Sequence, residues 1–185
     1  MGSHSDNARE RIIDAAEQVV IGAGARHLTL EAVASKAGIS RGGLLYHFHD
    51  KEALLSEMLH RRKKHLDESR MKRRAKTPAG PECEAVIYIL SVLDEDRGID
   101  RDVSAALVAS GAHDPELLAP AREDFHQIIA DLTKDGLSFE RAAVIMLAAN
   151  GLRLWEVLSM SPFNAKERRR IIKELLALVK EDKGA

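Results

Sequence analysis

Apolar residues recur along this chain at helical spacing in one segment after another, and nowhere do they alternate over the length of a strand. The pattern predicts a first helix from about Asn7 to Ile21, with Ile12, Ile13, Ala16, Val19 and Val20 on one face and Gly22 and Gly24 ending it. From Thr29 to Leu55 the elements shorten. Thr29 caps a helix whose apolar stripe is Leu30, Val33 and Ala34. Gly38 supplies the left-handed residue that ends it, and Ile39 packs beneath the turn. Ser40 caps a second short helix reaching about Phe48, and Asp50 caps a longer one. Two short helices joined by a glycine-containing turn make the helix-turn-helix arrangement, whose second helix enters the DNA major groove.

The helix from Lys51 carries Leu54, Leu55, Met58, Leu59 and Leu66, then turns basic from Arg61 to Lys76, which reads mostly as a solvated face. Thr77-Pro78-Ala79-Gly80-Pro81 is the clearest break. It predicts a helix-turn-helix domain over 1–50, a connecting helix over 51–76 and a second helical domain over 77–185. Beyond the break come Glu82 to Leu93, a loop at Asp94 to Gly98, and Asp100 to Ala112. A helix then starts at Asp114-Pro115-Glu116 and runs to Lys134, before the stop at Gly136. The last two run from Phe139 to Met160, capped by Ser138, and from Asn164 to Lys180, with Asn164 and Glu167 forming a capping box. The fold class is all-α, with about nine helices.

Phe139 to Met160 is apolar almost all round, so it must be covered on every side. A partner subunit covering one side, with the last helix showing Ile171, Ile172, Leu175, Leu176 and Val179, would make a two-fold four-helix bundle. The competing arrangement is a monomer in which this helix is simply central.

Composition narrows the class. The chain is 45% hydrophobic but only 4% aromatic, as aliphatic helical cores require. Its one cysteine, Cys83, excludes an internal disulfide framework and fits a reducing cytoplasm. No apolar run approaches a membrane span, Met1 to Asn7 is too short and polar for a signal peptide, and Gly2-Ser3-His4 reads as an expression scar outside the fold. The net charge of −1 hides +5 over residues 1–80 and −6 over 81–185, so the half with the turn motif is the one suited to a polyanion.

Candidate chemistry concentrates in that half. Arg41 can donate to phosphate or guanine, and Tyr46 and His47 can reach phosphates or bases. Thr29, Ser40 and Lys51 can clamp the backbone at helix N-termini, and Gly42 and Gly43 permit close approach. The bland alternative is an ordinary corner between small helices. His47 with His49 and His60 with His65 lack partners at ligand spacing, so no metal is expected. Glutamates flank Cys83 and disfavour its thiolate. Neither a phosphate loop nor a nucleophile–base set appears, so neither enzyme activity nor a cofactor is expected. Polar groups inside apolar helices mark a ligand pocket: Asn150 and Arg153 one turn apart, Tyr88, and Phe125, His126 and Trp155 as walls. Alternatively Arg153 pairs with an internal acid or lies at a dimer edge, and Asn150 caps a kink at Gly151.

Over about Arg9 to Leu59 the chain resembles the TetR family of bacterial regulators. The shared positions are Ala15-Ala16, Leu28-Thr29, Val33-Ala34, Ala37-Gly38-Ile39-Ser40, Gly42, Leu44, Tyr46-His47-Phe48, Lys51 and Leu54-Leu55. One departure is visible: Leu45 stands where the family often carries a phosphate-contacting Tyr, and Tyr46 is the expected replacement. The resemblance implies a homodimer formed by the last two helices and a small-molecule effector pocket in the C-terminal domain. It implies repression at a palindromic operator in double-stranded DNA, relieved by the effector. The rivals are a helical enzyme or ligand-binding protein using the turn as scaffold, and an activating or co-repressed regulator.

Overall fold

The computed structural model describes residues 3–77, 80, 83–93 and 98–180. Among these are nine α-helices and no strand: α1 Ser3–Ala23, α2 Leu30–Ala37, α3 Arg41–His47, α4 Lys51–Arg74, α5 Cys83–Val92, α6 Gly98–His113, α7 Ala119–Lys134, α8 Phe139–Val157 and α9 Ala165–Lys180. The expected caps form. Ser138 accepts from the Arg141 N–H at 3.3 Å. Asn164 Oδ1 accepts from the Glu167 N–H at 3.0 Å while Glu167 accepts from the Asn164 N–H at 2.9 Å, a reciprocal capping box.

Three boundaries differ from the expectation by three residues or more. α1 begins at Ser3, so Ser3 and His4 lie within it. Asp114-Pro115-Glu116 opens a 3₁₀ turn, Pro115–Leu118, and α7 starts only at Ala119. Pro120 explains the break, because it has no N–H to bond the Glu116 carbonyl in a continuous α-helix. α8 stops at Val157 because Ser159 adopts a left-handed φ of 56°. Most of the expected Asp94–Gly98 loop, at 94–97, lies outside the described residues.

The chain divides into two compact units, Met1–Lys63 with Arg97–Leu118, and Lys64–Asp96 with Ala119–Ala185. The division does not follow the Thr77–Pro81 break. α6 belongs to the first unit, where Val103, Ala106 and Leu107 are buried in one core with Ile12, Ile13, Val20, Val33, Leu44, Phe48, Leu54 and Met58. That core is clasped at its rim by ion pairs. Glu10, Asp14 and Glu17 present three carboxylates along one face of α1, and Arg61 of α4 meets them at 2.6, 2.6 and 3.3 Å. Arg9 meets Glu57 at 2.6 Å on the same pair of helices.

In the second unit α5, α7, α8 and α9 bury Ala85, Tyr88, Ile89, Ile128, Leu132, Ala142, Ile145, Ala149, Leu152, Leu175 and Val179. A polar cluster sits within it. The Tyr88 hydroxyl accepts from Asn150 Nδ2 at 2.5 Å, and the same amide donates to the Met146 carbonyl at 2.8 Å. The Arg70 guanidinium lies 5.7 Å from the centre of the Tyr88 ring and pairs with Asp67 at 3.2 Å and Asp124 at 3.7 Å. Burial pushes the Tyr88 phenol up to about 12.

Two stability predictions follow from these contacts. Arg61→Gln leaves three carboxylates facing one another and should cost about 1–2 kcal/mol, lowering Tm by roughly 2–8 °C. The loss should shrink in about 1 M salt, where charge interactions are screened; an unchanged Tm in dilute buffer would contradict the clasp. For Tyr88, the folded state keeps its proton beyond the ordinary value of 10. The contribution is full below about pH 10 and is lost as pH rises toward about 12. The stability gap between wild type and Tyr88→Phe should therefore narrow over that window, and a constant gap would contradict it.

Candidate nucleic-acid interface

α3 has seven residues, two of them adjacent glycines, and is held from outside itself. Leu44 and Phe48 are fully buried beneath it. The turn before it is tied by Gly38 at φ 68° and by the Ile39 N–H donating to the Ala34 carbonyl at 3.1 Å. Ser40 Oγ accepts from the Gly43 N–H at 3.0 Å, and Thr29 Oγ1 accepts from the Ala32 N–H at 3.1 Å. Each hydroxyl keeps its own hydrogen to donate outward. Asp50 Oδ1 accepts from the Ala53 N–H at 2.7 Å, so α4 is capped by Asp50 and Lys51 is its first residue.

With one side of α3 anchored, the other faces solvent. Tyr46 is 84% exposed, its ring edge-on to His47 at 5.1 Å between centroids. Arg41 is exposed and lies 3.2 Å from Glu31 of α2. Leu45 is partly exposed beside them. The two glycines differ. A side chain at Gly42 would project into open space, whereas a Cβ at Gly43 would stand 3.3 Å from the capping Ser40 Oγ. Gly43 thus has a local reason to be glycine, and Gly42 has none within the chain. The structure therefore collects Thr29, Ser40, Arg41, Gly42, Gly43, Tyr46, His47 and Lys51 on and beside one short helix. The sequence reading missed Glu31, whose carboxylate sits among these donors.

The six residues expected to line a ligand pocket are only partly assembled. Tyr88 and Asn150 are hydrogen-bonded in the core of the second unit, and Arg153 is half-buried on the same helix as Asn150. Phe125 and His126 are exposed on α7. Trp155 is exposed and stacks on Phe163 with centroids 6.0 Å apart. Cys83 stays a thiol, because desolvation and the neighbouring Glu84 and Asp135 carboxylates push its pKa up. Among the described residues no group of three or more His, Cys, Asp or Glu is placed to hold a metal. No described helix is long and apolar enough to cross a membrane.

Comparison with known proteins divides the chain differently from the two compact units, on either side of the Thr77–Pro81 break. The family model described as bacterial regulatory proteins, tetR family, matches residues 12–58, and that of the tetracyclin repressor-like C-terminal domain matches residues 82–180. The HTH-type transcriptional regulator SrpR of Pseudomonas putida is 37% identical over 65 residues, which cover 35% of this chain and 30% of SrpR. The match thus spans less than a third of that relative. The HTH-type transcriptional regulator BetI of Stenotrophomonas maltophilia strain R551-3 is 27% identical over 172 residues, 88% of each chain. The crystal structure of the multidrug binding protein EbrR, complexed with imidazole, has the same fold, with a TM-score of 0.67, 22% identity, and coverage of 90% of this chain and 93% of EbrR. Capped helix-turn-helix, exposed donors and both family matches agree: the chain belongs to the TetR family of DNA-binding transcriptional regulators, a family of non-enzymes.

Proposed function

We propose that this regulator is a ligand-responsive repressor that binds a palindromic operator as a homodimer joined through α8 and α9. The observation that carries the dimer is the two-sidedness of α8. One face buries Ala142, Ile145, Ala149 and Leu152, while Val144, Leu147, Leu154, Trp155 and Leu158 lie exposed along the other, with Leu147 67% accessible. These five recur at helical spacing and form one continuous apolar stripe. An apolar stripe of this length in water favours burial against a second copy, and a two-fold axis brings the same stripe from each chain together. Two reading heads then meet two half-sites of a palindrome, in the cytoplasm where the DNA is.

In this reading Arg41 contacts a base edge, Tyr46, His47, Ser40, Thr29 and Lys51 hold phosphates, and Gly42 and Gly43 let the DNA approach. The effector occupies the second unit around Tyr88 and Asn150, with Arg153, Phe125 and His126 on its approach and Trp155 where the approach meets the dimer seam. The polar pair inside otherwise apolar helices supports this, as does the small molecule held by EbrR, a protein of the same fold. An effector that prefers the conformation with mismatched heads lowers DNA affinity by its differential affinity for that state.

Two experiments test the reading. In gel-shift titrations Arg41→Ala should lose about 1–3 kcal/mol of binding to the preferred sequence and relax its specificity, while Lys51→Ala should weaken all sequences alike. Gly42→Ala should raise Tm, since alanine favours helix over glycine by about 0.5–1 kcal/mol, yet weaken DNA binding. Wild-type binding by Arg41→Ala and Gly42→Ala together would remove the site assignment. Size-exclusion chromatography with light scattering should give twice the chain mass, and Leu147→Glu should give the monomer mass. A monomeric wild type at micromolar concentration would remove the dimer.

A further inference from the structure

A second feature of the first unit lies beside the reading head. An open groove of about 520 Å³ runs between α1, the 3₁₀ turn Ala25–His27 and α2. Its lining includes Arg26, His27 and Lys36 as well as Gln18, Gly22 and Thr29, and no carboxylate. Several other arginines are matched with acid, Arg9 with Glu57, Arg61 with three carboxylates of α1, Arg74 with Glu84 and Arg168 with Glu156, while Arg11 donates to the Ala37 carbonyl at 3.2 Å. Arg26 and Lys36 are exposed, and neither meets a carboxylate among the described residues. Arg26 donates its Nε–H to His27 Nε2 at 3.0 Å, which spends one donor and leaves the two terminal amines of the guanidinium for an outside partner.

We infer that this groove is a second DNA-backbone clamp, in which Arg26 and Lys36 neutralise phosphates flanking the stretch read by α3. The inference rests on the DNA-binding reading of α3 and extends its footprint. Charge is the first argument: two cations without acid partners line one surface of a chain whose net charge is −1. Continuity is the second. Thr29 lines the groove and also caps α2 at the edge of the reading head, so one surface passes into the other. Dimension is the third. α2 has eight residues and is therefore about 12 Å long, the rise of three to four nucleotides along one strand. Arg26 lies just before its start and Lys36 near its end. Gly22, Ala23 and Ala32 keep the floor of the groove low, so a strand can approach the backbone. His27 acts as a positioning residue, holding Arg26 by Nε and turning its remaining amines outward.

Phosphate contact is blind to sequence, so the test needs no operator. The probe is a duplex of about 30 base pairs of arbitrary sequence, titrated with the full-length protein over a series of salt concentrations. Each phosphate neutralised contributes about 0.9 to the slope of log K against log salt. The Arg26→Gln/Lys36→Gln variant should lower the slope by about 1.8 and weaken binding at least tenfold in low salt, with its Tm unchanged. His27→Ala should give part of the same loss. An unchanged slope in a folded double variant, with wild type still showing salt-dependent binding, overturns the clamp and leaves the reading head standing. Absence of salt-dependent binding by wild type itself overturns the underlying reading instead.

Discussion

A seven-residue helix with two adjacent glycines cannot hold itself together in water, so the whole reading surface depends on what lies under it. Glycine at two positions costs roughly 2 kcal/mol of helix propensity relative to alanine, and helices this short are unstable even without that cost. Burial of Leu44 and Phe48 in the first core, the Ser40 cap and the Gly38 turn supply the compensation. Side chains so anchored leave the rest of α3 free to be polar, small or exposed. That freedom is what puts Tyr46 and Arg41 in solvent and leaves the space above Gly42 open.

Charge is partitioned by the same logic. Arg61, Arg9, Arg74 and Arg168 are bound to carboxylates and serve structure, fastening α4 to α1 in the first unit, and α4 to α5 and α8 to α9 in the second. Arg26 and Lys36 are left without acid partners beside the reading head. A formal charge near zero therefore conceals a surface on which the cations of one region are spent and those of another are available. Arg41 stands between the two, close to Glu31 yet largely exposed, so its exposed ion pair contributes little to stability and can be exchanged for a DNA contact.

Much of the fold was legible because the decisive signals were local. Thr29, Gly38, Ser40, Asp50, Ser138 and the Asn164–Glu167 box each mark a helix end by hydrogen bonds to residues two to four positions away, and all of them form. What escaped was not local. The small-residue stripe of α6 shows that the helix is buried but not in which core, and only packing sends Val103 and Leu107 to the first unit. The acidic positions 10, 14 and 17 are spaced as one helix face, but their partner Arg61 is more than forty residues away. Pro120 was overshadowed by the stronger start signal at Pro115. In the candidate site the donors of α3 were readable from the turn motif. Trp155 sits in an apolar run, which signals burial without saying against what, whereas Phe125 sits among Glu123, Asp124, His126 and Gln127, and both are exposed in the single chain.

The central claim is that two copies of one reading head act together on symmetric DNA. Selection of bound fragments from random-sequence duplex with the purified full-length protein, followed by sequencing, tests it most directly. The account predicts an enriched palindrome whose two half-sites are centred about one helical turn, or a simple multiple of it, apart. Enrichment of a single asymmetric half-site, or no enrichment over unselected DNA, would contradict it.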